Sequence, residues 1–425
     1  MTTRRILLSA YQCAPGQGSV SQIGWEWYSR LAPRVQVTLV THVRNRQALE
    51  AVGAPLPGSE IIYIDTEWFA GPLYRLAKRL FPKSEHSVFL LSSLDYYVYD
   101  RQALKQLAHG KKDWDLVHTV TPVSPAAFTV LTKLGLPLVR GPLNGGLMTP
   151  PNFDDYMRAD SPWLYRLRGL ATLCRRLAGR GMPDMTLTAN AATEAALAEA
   201  ERRRTVRMPE IAVEPSLYQA TEWPEFPCAT RPLKILFVGR LVPFKALPLL
   251  FRAVQRAQQQ GPIEITVVGD GPMRDEWQRS AASLGVSARF LGAQPAAVVS
   301  NEMSRCHVLC LPSVRESGGA VLLEAMSAAR PVLAVNYGGP GTLVNEEIGA
   351  LVPSCNPSAA IEGLEAALRN ILHEPAAWQR RGENGRVHAC RYHAWDKRIE
   401  DGLVLYSKLI DENNPGAMCS LKAAA

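Results

Sequence analysis

Two glutamates, Glu316 and Glu324, flank the glycine pair Gly318-Gly319 in the stretch SVRESGGAVLLEAM, residues 313–326. Carboxylates accept hydrogen bonds from sugar hydroxyls, and glycines let backbone N–H groups approach a phosphate. The apolar run HVLCLP before the motif has strand length, and the helix-forming residues AVLLEAM end it. The motif is therefore predicted at the carboxyl end of a strand, where open α/β sheets bind ligands.

Apolar runs of strand length alternate with helical stretches along the chain, which predicts parallel sheets covered on both faces. The runs form two series, RRILLSA, VQVTLVTH, IIYI, DLVHTV and LPLVRG, then LKILFVGR, EITVVGDG, ARFLGA, HVLCLPS and PVLAVN. We therefore expect an α/β protein with two doubly wound, Rossmann-like domains. The expected division is a domain over 1–213, a Pro-rich linker over 214–234, a second domain over 235–390, and a helix and tail over 391–425.

The composition is that of a globular chain: 425 residues, 47% hydrophobic and 20% charged. There is no apolar run of about 18 residues, so no transmembrane helix is expected. The N-terminal MTTRRILLSA is interpreted as a first buried strand rather than a signal peptide. The eight cysteines lack CxxC spacing, and we expect buried thiols in a reducing compartment.

Positive charge is concentrated in the first half of the chain. Residues 1–208 contain 26 Lys and Arg against 17 Asp and Glu, a net charge of +9, within a total of +8. Residues 74–83 and 163–180 interleave basic residues with Trp, Tyr and Leu. Such stretches fit a surface that contacts anionic lipid headgroups. The alternative is a solvated helix face whose leucines pack on the core; nucleic acid is disfavoured, because zinc-finger spacing and RNA-binding aromatic motifs are missing from the sequence.

Two glycine-rich loops allow more than one interpretation. Gly269 and Gly271 begin like the GxGxxG motif of a nicotinamide oxidoreductase, but Arg274 occupies the place of the third glycine, which disfavours that enzyme class. The loop CAPGQGS, with Gly16 and Gly18, follows the first strand. It is interpreted either as a phosphate or acceptor loop or as a tight strand-to-helix turn.

The second half of the chain resembles the family 4 retaining glycosyltransferases of the GT-B fold. Such enzymes carry an E-x7-E motif with internal glycines, matched by residues 316–324, and a strand that ends in Gly-Arg with a lysine a few residues later, matched by VGRLVPFK. The loops GDGP and NYGGP also resemble family loops. The resemblance implies two Rossmann-like domains facing each other across a cleft. It also implies these donor-binding residues: Gly239, Arg240, Lys245, Gly269, Gly271, Glu316, Ser317, Gly318, Gly319, Ala320 and Glu324.

The first half resembles a subgroup associated with bacterial cell-surface polysaccharide assembly, through DLVHTVT and GPLNGG. This implies that Gly16, Gly18, Asn144 and Gly145 lie on the acceptor side. His118 is expected at a strand's end near the reacting sugar, although a lone histidine is more often a core residue. Two departures from the family pattern are Ala246, where glycine is usual, and Ser317 after the first glutamate.

The resemblance implies transfer of a hexosyl group from a nucleoside-diphosphate sugar with retention of anomeric configuration, with His118, Glu316, Arg240 and Lys245 as the catalytic group. The leaving phosphate takes the acceptor's proton, and the two cations replace a metal ion, so no cofactor is expected. The triplet Asp113-Trp114-Asp115 mimics a metal-binding DxD motif but precedes a strand.

The expected acceptor is a glycan, linked to a polyprenyl diphosphate, in exopolysaccharide or lipopolysaccharide synthesis. The expected location is cytoplasmic, peripheral at the inner face of the plasma membrane, with no nucleic-acid partner. Two alternatives remain: a GT-B sugar-nucleotide epimerase and a non-catalytic, membrane-associated GT-B scaffold.

Overall fold

The chain forms two compact units that are not continuous in sequence. The computed structural model describes residues 4–82, 88, 91–109, 114–148, 150–157 and 181–413. Within these, unit 1 comprises the chain up to Gly146, the stretch 181–210 and the chain from Arg398 onward, and unit 2 comprises the stretch from Leu147 to 157 and Ile211–Lys397. The chain therefore passes between the units more than once, and the boundaries expected at 213 and 235 correspond to only one of these passages.

Unit 1 is built on a parallel seven-stranded sheet with the order β3-β2-β1-β4-β5-β6-β7. Its strands are β1 Arg5–Ala10, β2 Gln36–His42, β3 Ser59–Ile64, β4 Leu116–Thr121, β5 Leu138–Leu143, β6 Met185–Thr188 and β7 Thr205–Arg207. Its helices are α1 Gly18–Leu31, α2 Arg46–Ala51, α3 Glu67–Leu80, α4 Asp95–His109, α5 Ala191–Ala195 and α6 Glu199–Arg202. Every residue of β4 and β5 is buried, as expected of central strands in a doubly covered sheet.

Unit 2 is built on a parallel six-stranded sheet with the order β10-β9-β8-β11-β12-β13. Its strands are β8 Leu233–Val238, β9 Ile263–Val268, β10 Ser287–Gly292, β11 Val308–Leu311, β12 Val332–Val335 and β13 Gly349–Val352. Its helices are α7 Leu247–Ala257, α8 Arg274–Ser283, α9 Ala296–Arg305, α10 Ala320–Ser327, α11 Pro340–Leu343, α12 Pro357–His373 and α13 Pro375–Tyr392. The last described helix, α14 Trp395–Asn413, carries the chain back into unit 1.

Each sheet has one point at which the strand order reverses. The reversal lies between β1 and β4 in unit 1 and between β8 and β11 in unit 2. Helices from both sides leave a crevice at the carboxyl ends of such a strand pair, and ligands bind there in open α/β sheets. The prediction of two doubly wound, parallel α/β units is confirmed.

The stretch expected to be a linker is packed onto unit 2. Residues 211–232 belong to this unit by their contacts, and Leu233 and Lys234 already lie in β8. Within the described part of the chain, none of the helices is long and apolar enough to cross a membrane.

Candidate functional site

The loops after β8 and β11 meet at the reversal point of unit 2. The backbone N–H of Val314 donates to the carbonyl oxygen of Phe244 at 2.9 Å, which joins the two loops. Lys245 Nζ forms an ion pair with Glu316 Oε2, and both side chains are largely but not completely buried, 13% and 15% exposed. A Cβ on Gly239 would lie 3.5 Å from Lys245 Cε. The structure thus brings together three of the predicted donor-site residues.

A second cation, Arg315, also lies near Phe244. Its guanidinium carbon is 5.0 Å from the centre of the Phe244 ring, and Lys245 Nζ is 5.9 Å from the same centre. An aromatic face attracts cations through its quadrupole, so the ring favours both positions. Arg315 was not among the predicted site residues; its position beside Glu316 was the available signal.

The loop after β9 lies against the loop after β8. A Cβ on Gly269 would lie 2.0 Å from the carbonyl oxygen of Gly239, and Gly269 has φ +132°, so another residue here would displace the backbone. The N–H of Leu241 also donates to the carbonyl oxygen of Asp270 at 2.9 Å. Arg240, between these contacts, is exposed. The close approach places the Gly269–Gly271 loop beside Gly239 and Arg240, as the sequence predicted.

The loop after β12 supports the backbone of Glu316. The N–H of Gly339 donates to the Glu316 carbonyl oxygen at 2.9 Å. A Cβ on Gly338 would lie 2.2 Å from the same oxygen, so only glycine fits. Gly318 and Gly319 are buried, Ser317 is half-buried, and Gly319 caps α10 just before Ala320.

Glu324 lies on α10, eight residues after Glu316, which belongs to the loop before this helix. Burial raises the pKa of its carboxyl group to about 7, and a hydrogen bond from the Tyr218 hydroxyl opposes this shift. Tyr218 itself is buried, with an exposed fraction of 8%. Tyr218 was not among the predicted site residues, because it lies in the stretch interpreted as a linker.

The departure at Ala246 has a visible structural consequence. Ala246 adopts a left-handed conformation, φ +46° and ψ +36°, between a 3₁₀ turn at Pro243–Lys245 and α7. Such a conformation disfavours a residue with a Cβ, which explains in physical terms why glycine suits this position.

The residues expected on the acceptor side follow β1 and β5 of unit 1. Gly16 and Gly18 both have positive φ, +70° and +74°, and a Cβ on either would meet open space. The N–H of Gly16 donates to Gln22 Oε1 at 2.9 Å, so the loop is tied to α1. These contacts fit the tight strand-to-helix turn, the structural alternative stated for this loop.

Asn144 and Gly145 are held by Glu210, in the loop after β7, and by Thr193 of α5. Asn144 Nδ2 donates to Glu210 Oε1, and the Gly145 N–H donates to Thr193 Oγ1 at 3.1 Å. The Thr193 hydroxyl in turn donates to the Gly145 carbonyl oxygen at 2.9 Å. The carboxyl ends of β5 to β7 therefore share one polar network.

His118 does not lie where it was expected. Its side chain is completely buried within β4, and its ring lies edge-on to Trp27, with the centroids 4.7 Å apart. Its Nε2–H donates to the Gly141 carbonyl oxygen at 2.6 Å, and the Tyr406 hydroxyl donates to Nδ1. Burial lowers the pKa of His118 to about 4, so the ring is neutral. The expectation of an open position near a reacting sugar is wrong: both ring nitrogens are occupied inside unit 1.

Of the DxD-like triplet, Asp113 lies outside the described residues. The carboxylate of Asp115 accepts the Arg5 N–H at 2.7 Å, at the amino-terminal ends of β1 and β4. That edge of the sheet is opposite to the one where ligands bind. Among the described residues, no group of three or more His, Cys, Asp or Glu is arranged to hold a metal ion.

Comparisons with known proteins agree with this geometry. Residues 221–387 match the family model described as glycosyl transferases group 1. A D-inositol 3-phosphate glycosyltransferase of Salinispora arenicola is 31% identical over 194 residues, which cover 43% of this chain and 42% of the relative. The chain thus matches less than half the length of the curated relatives to which it is similar. Residues 221–387, which match the family model, contain the candidate site of unit 2.

Two solved structures share the architecture of nearly the whole chain. Alr3699/HepE of Anabaena, in complex with UDP and glucose, aligns with a TM-score of 0.63 at 16% identity, covering 95% of this chain and 100% of that one. WaaG, a glycosyltransferase involved in lipopolysaccharide biosynthesis, aligns with a TM-score of 0.60 at 17% identity, covering 96% and 98%. The chain therefore has the GT-B fold, and its residues 221–387 are similar to glycosyl transferases group 1.

Proposed function

We propose that the chain is a family 4, retaining glycosyltransferase that moves a hexosyl group from a nucleoside-diphosphate sugar to a glycan acceptor. The observation that carries this proposal is the ion pair of Lys245 and Glu316 beside Gly239, at the reversal point of unit 2. A cation there can pair with the diphosphate of the donor, and a carboxylate can accept hydrogen bonds from the hydroxyls of its sugar. The complex of HepE with UDP and glucose lends support, since that protein shares the fold.

Each residue has one role in the proposed reaction. Glu324 accepts hydrogen bonds from the ribose hydroxyls, and Glu316 accepts them from the sugar. Lys245 and Arg240 stabilise the negative charge that grows on the leaving diphosphate. The bond from the anomeric carbon to the phosphate oxygen breaks, and the acceptor oxygen bonds to the same face of the sugar. The leaving phosphate oxygen takes the acceptor's proton, so no protein base is required.

The test is transfer from a panel of radiolabelled nucleotide sugars to a membrane extract, in the presence of excess EDTA. We expect one donor to label the extract, with the anomeric configuration of the product unchanged by NMR. The labelling should persist in EDTA, because Lys245 and Arg240 supply the charge that a divalent ion otherwise brings.

Other outcomes of this test identify the alternatives. Release of free nucleotide without labelling of any acceptor would favour the sugar-nucleotide epimerase. A protein that neither binds nor turns over any donor would be a scaffold. Labelling that EDTA abolishes and Mg²⁺ or Mn²⁺ restores would contradict the metal-independent mechanism.

The acceptor is proposed to be a lipid-linked saccharide in polysaccharide or lipopolysaccharide synthesis, reached at the inner face of the plasma membrane. Similarity in fold to WaaG supports this assignment. The basic stretch 163–180 lies outside the described residues, but α3 contains most of the other predicted stretch. Its side chains Trp68, Leu76 and Leu80 are 65%, 50% and 56% exposed.

The exposed side of α3 combines these apolar groups with cations. Positions 68, 72, 76 and 80 recur every four residues and form one stripe, whereas Ala70 and Ala77 on the opposite side are buried. Arg75, Lys78 and Arg79 flank the stripe and are exposed. Such a helix lies in the plane of an anionic bilayer with its apolar stripe in the headgroup region.

Replacing Arg75, Lys78 and Arg79 together by glutamine should weaken sedimentation with anionic phosphatidylglycerol vesicles at least about tenfold. Each basic residue near such a surface contributes about 1 kcal/mol, and the binding should fall as salt rises. The matched control replaces three exposed arginines of unit 2, Arg252, Arg256 and Arg279, by glutamine, which removes the same charge. Equal loss in both variants would show that net charge, rather than α3, determines binding.

A further inference from the structure

A short stretch between β5 and β6 is packed onto unit 2; we refer to residues 147–148 and 150–157 as the insert. Gly146 before it and the stretch from 181 onward belong to unit 1, whereas the insert belongs to unit 2. Phe153 anchors it, because this side chain is completely buried in the hydrophobic core of unit 2. Unit 2 therefore contains a segment whose neighbours in sequence form the other unit.

The first part of the insert is fastened to the loop after β12. The Tyr337 hydroxyl donates to the Met148 carbonyl oxygen at 2.6 Å. A Cβ on Gly338 would lie 2.8 Å from Leu147 Cδ1, so the leucine side chain fills the space beside this glycine. One hydrogen bond and one apolar contact thus join the insert to this loop.

The last part of the insert lies next to the turn that carries Lys245. The insert ends in a 3₁₀ turn, Asp154–Met157, which packs against the 3₁₀ turn Pro243–Lys245 after β8. At the start of the insert's turn, the Tyr156 N–H donates to the Phe153 carbonyl oxygen at 3.0 Å. The anchored residue Phe153 therefore also fixes the turn that meets the Lys245 turn.

The insert contacts loops on both sides of the one that carries Glu316. That loop follows β11, which lies between β8 and β12 in the sheet. The loop after β12 supports it directly, because the Gly339 N–H donates to the Glu316 carbonyl oxygen at 2.9 Å. A further bond, from Asn152 Nδ2 to the Cys355 carbonyl oxygen at 3.2 Å, ties the insert to the loop after β13. All these loops lie at the carboxyl edge of the sheet, where open α/β sheets bind ligands.

We propose that Tyr337 is a positioning residue of the donor site: its hydroxyl fastens the insert across the loops that carry Lys245 and Glu316, and the fastened insert holds this ion pair in the geometry that binds the sugar diphosphate. This inference rests on the proposed function, in which these two side chains bind the donor. It adds to the donor site a segment whose sequence neighbours belong to unit 1.

In this arrangement, donor binding and the order of the insert depend on each other. A donor that binds only when both loops are in place stabilises the insert against local opening. By the same linkage, a change that loosens the insert weakens donor binding. Loss of one neutral hydrogen bond changes an equilibrium constant by about two- to tenfold, which sets the size of the effect expected at Tyr337.

The first experiment measures hydrogen–deuterium exchange of wild type with and without a donor. The probe is UDP-glucose, ADP-glucose or GDP-mannose, whichever raises the melting temperature of wild type most. At a probe concentration of about ten times Kd, exchange of the Tyr156 amide should slow by about three- to tenfold, because openings that disrupt the donor site are suppressed by a factor of up to 1 + [probe]/Kd.

The Gly285 amide is the matched control for this exchange. It also donates to a carbonyl oxygen three residues earlier, that of Ala282, at 3.1 Å. It precedes β10 and therefore lies at the amino-terminal edge of the sheet, away from the donor site. Its exchange should be the same with and without the probe.

The second experiment compares Tyr337→Phe with wild type by calorimetric titration with the same probe. Phenylalanine keeps the ring and removes only the hydroxyl that bonds the insert, so we expect about two- to tenfold weaker binding. Tyr392→Phe removes a hydroxyl from an exposed tyrosine of α13 and should bind the probe as wild type does. Without probe, the melting temperature of both variants should stay within about 2 °C of wild type, which separates positioning from a merely structural role.

The outcomes distinguish this inference from the proposed function. Unchanged exchange of the Tyr156 amide on addition of the probe, or wild-type affinity in Tyr337→Phe, would overturn the inference and leave the proposed function standing. Equal loss of affinity in Tyr337→Phe and Tyr392→Phe would also overturn it, because the effect would not depend on the insert. If wild type binds none of the three nucleotide sugars, the proposed function and this inference fall together.

Discussion

Replacing Lys245 by alanine should lower the rate of glycosyl transfer by about a hundredfold to a thousandfold, the range found when one preorganised charge donor is removed from an active site. Lys245 Nζ faces Glu316, and a Cβ on Gly239 would lie 3.5 Å from Lys245 Cε. In the proposed reaction, the charge of Lys245 stabilises the leaving phosphate more in the transition state than in the bound donor. The effect should therefore appear mainly in kcat, measured as nucleoside diphosphate released in the presence of acceptor.

Two other lysine variants make this expectation specific. Lys234→Ala removes an exposed cation from β8, at the end of the strand away from the site, and should leave kcat within about twofold of wild type. Lys245→Arg keeps the charge and should retain more activity than Lys245→Ala, although arginine has a different geometry. Wild-type kcat in a folded Lys245→Ala protein would contradict the assignment of the site.

Much of the fold could be predicted because buried parallel strands are nearly continuous in Val, Ile and Leu. Ten of the strands were predicted in this way, and the structure has them as β1–β5 and β8–β12. The strands that were not predicted are short and contain Thr, Arg or Gly: MTLT in β6, TVR in β7 and GALV in β13. The predicted strands β11 and β12 also have four residues, but their sequences VLCL and VLAV are wholly apolar, which separates them from loops.

The candidate site residues of unit 2 could be predicted to lie close together, because loops that follow strands of a parallel sheet must meet at one edge. Glu316 and Lys245 are 71 residues apart in sequence and still form an ion pair. His118 shows the limit of this reasoning. Its enclosure depends on Trp27 of α1 and on Tyr406 of α14, 288 residues further along the chain. A pattern local to β4 carries no information about a helix that returns from the other end of the sequence.

The segment of residues 214–230, which we call the strap, shows a second limit. Its Pro-rich, aperiodic sequence is typical of a linker, but the contacts that hold it are hydrogen bonds from side chains of unit 2 to its backbone. Any sequence supplies backbone carbonyls, so the strap itself carries no signal of these contacts. The signal lies in the donors, among which Arg330 has the most bonds to the strap. A buried arginine is rare unless its donors are satisfied.

Arg330 is completely buried, and its guanidinium joins the strap to two residues of α9. Nη2 donates to Thr221 Oγ1 at 2.7 Å, to the Glu222 carbonyl oxygen at 3.0 Å and to the Ser304 carbonyl oxygen at 2.7 Å. Nε donates to the Met303 carbonyl oxygen at 3.0 Å. Burial lowers the pKa of Arg330, but its ordinary value is so high that the group remains charged at neutral pH. One charged side chain thus bonds oxygen atoms of both the strap and α9.

Replacing Arg330 by methionine, which keeps an unbranched side chain but removes every donor, should therefore lower the free energy of unfolding of unit 2 by about 3–5 kcal/mol. The lost hydrogen bonds account for this loss, because a hydrogen bond to a charged group contributes about 1.5–3 kcal/mol. In calorimetry the transition of unit 2 should shift down by roughly 6–20 °C, since about 2–4 °C corresponds to each kcal/mol in a unit of this size. Arg252→Met, at an exposed position of α7, is the matched control and should shift it by less than about 2 °C. A transition at the wild-type temperature would mean that the strap holds its place without Arg330.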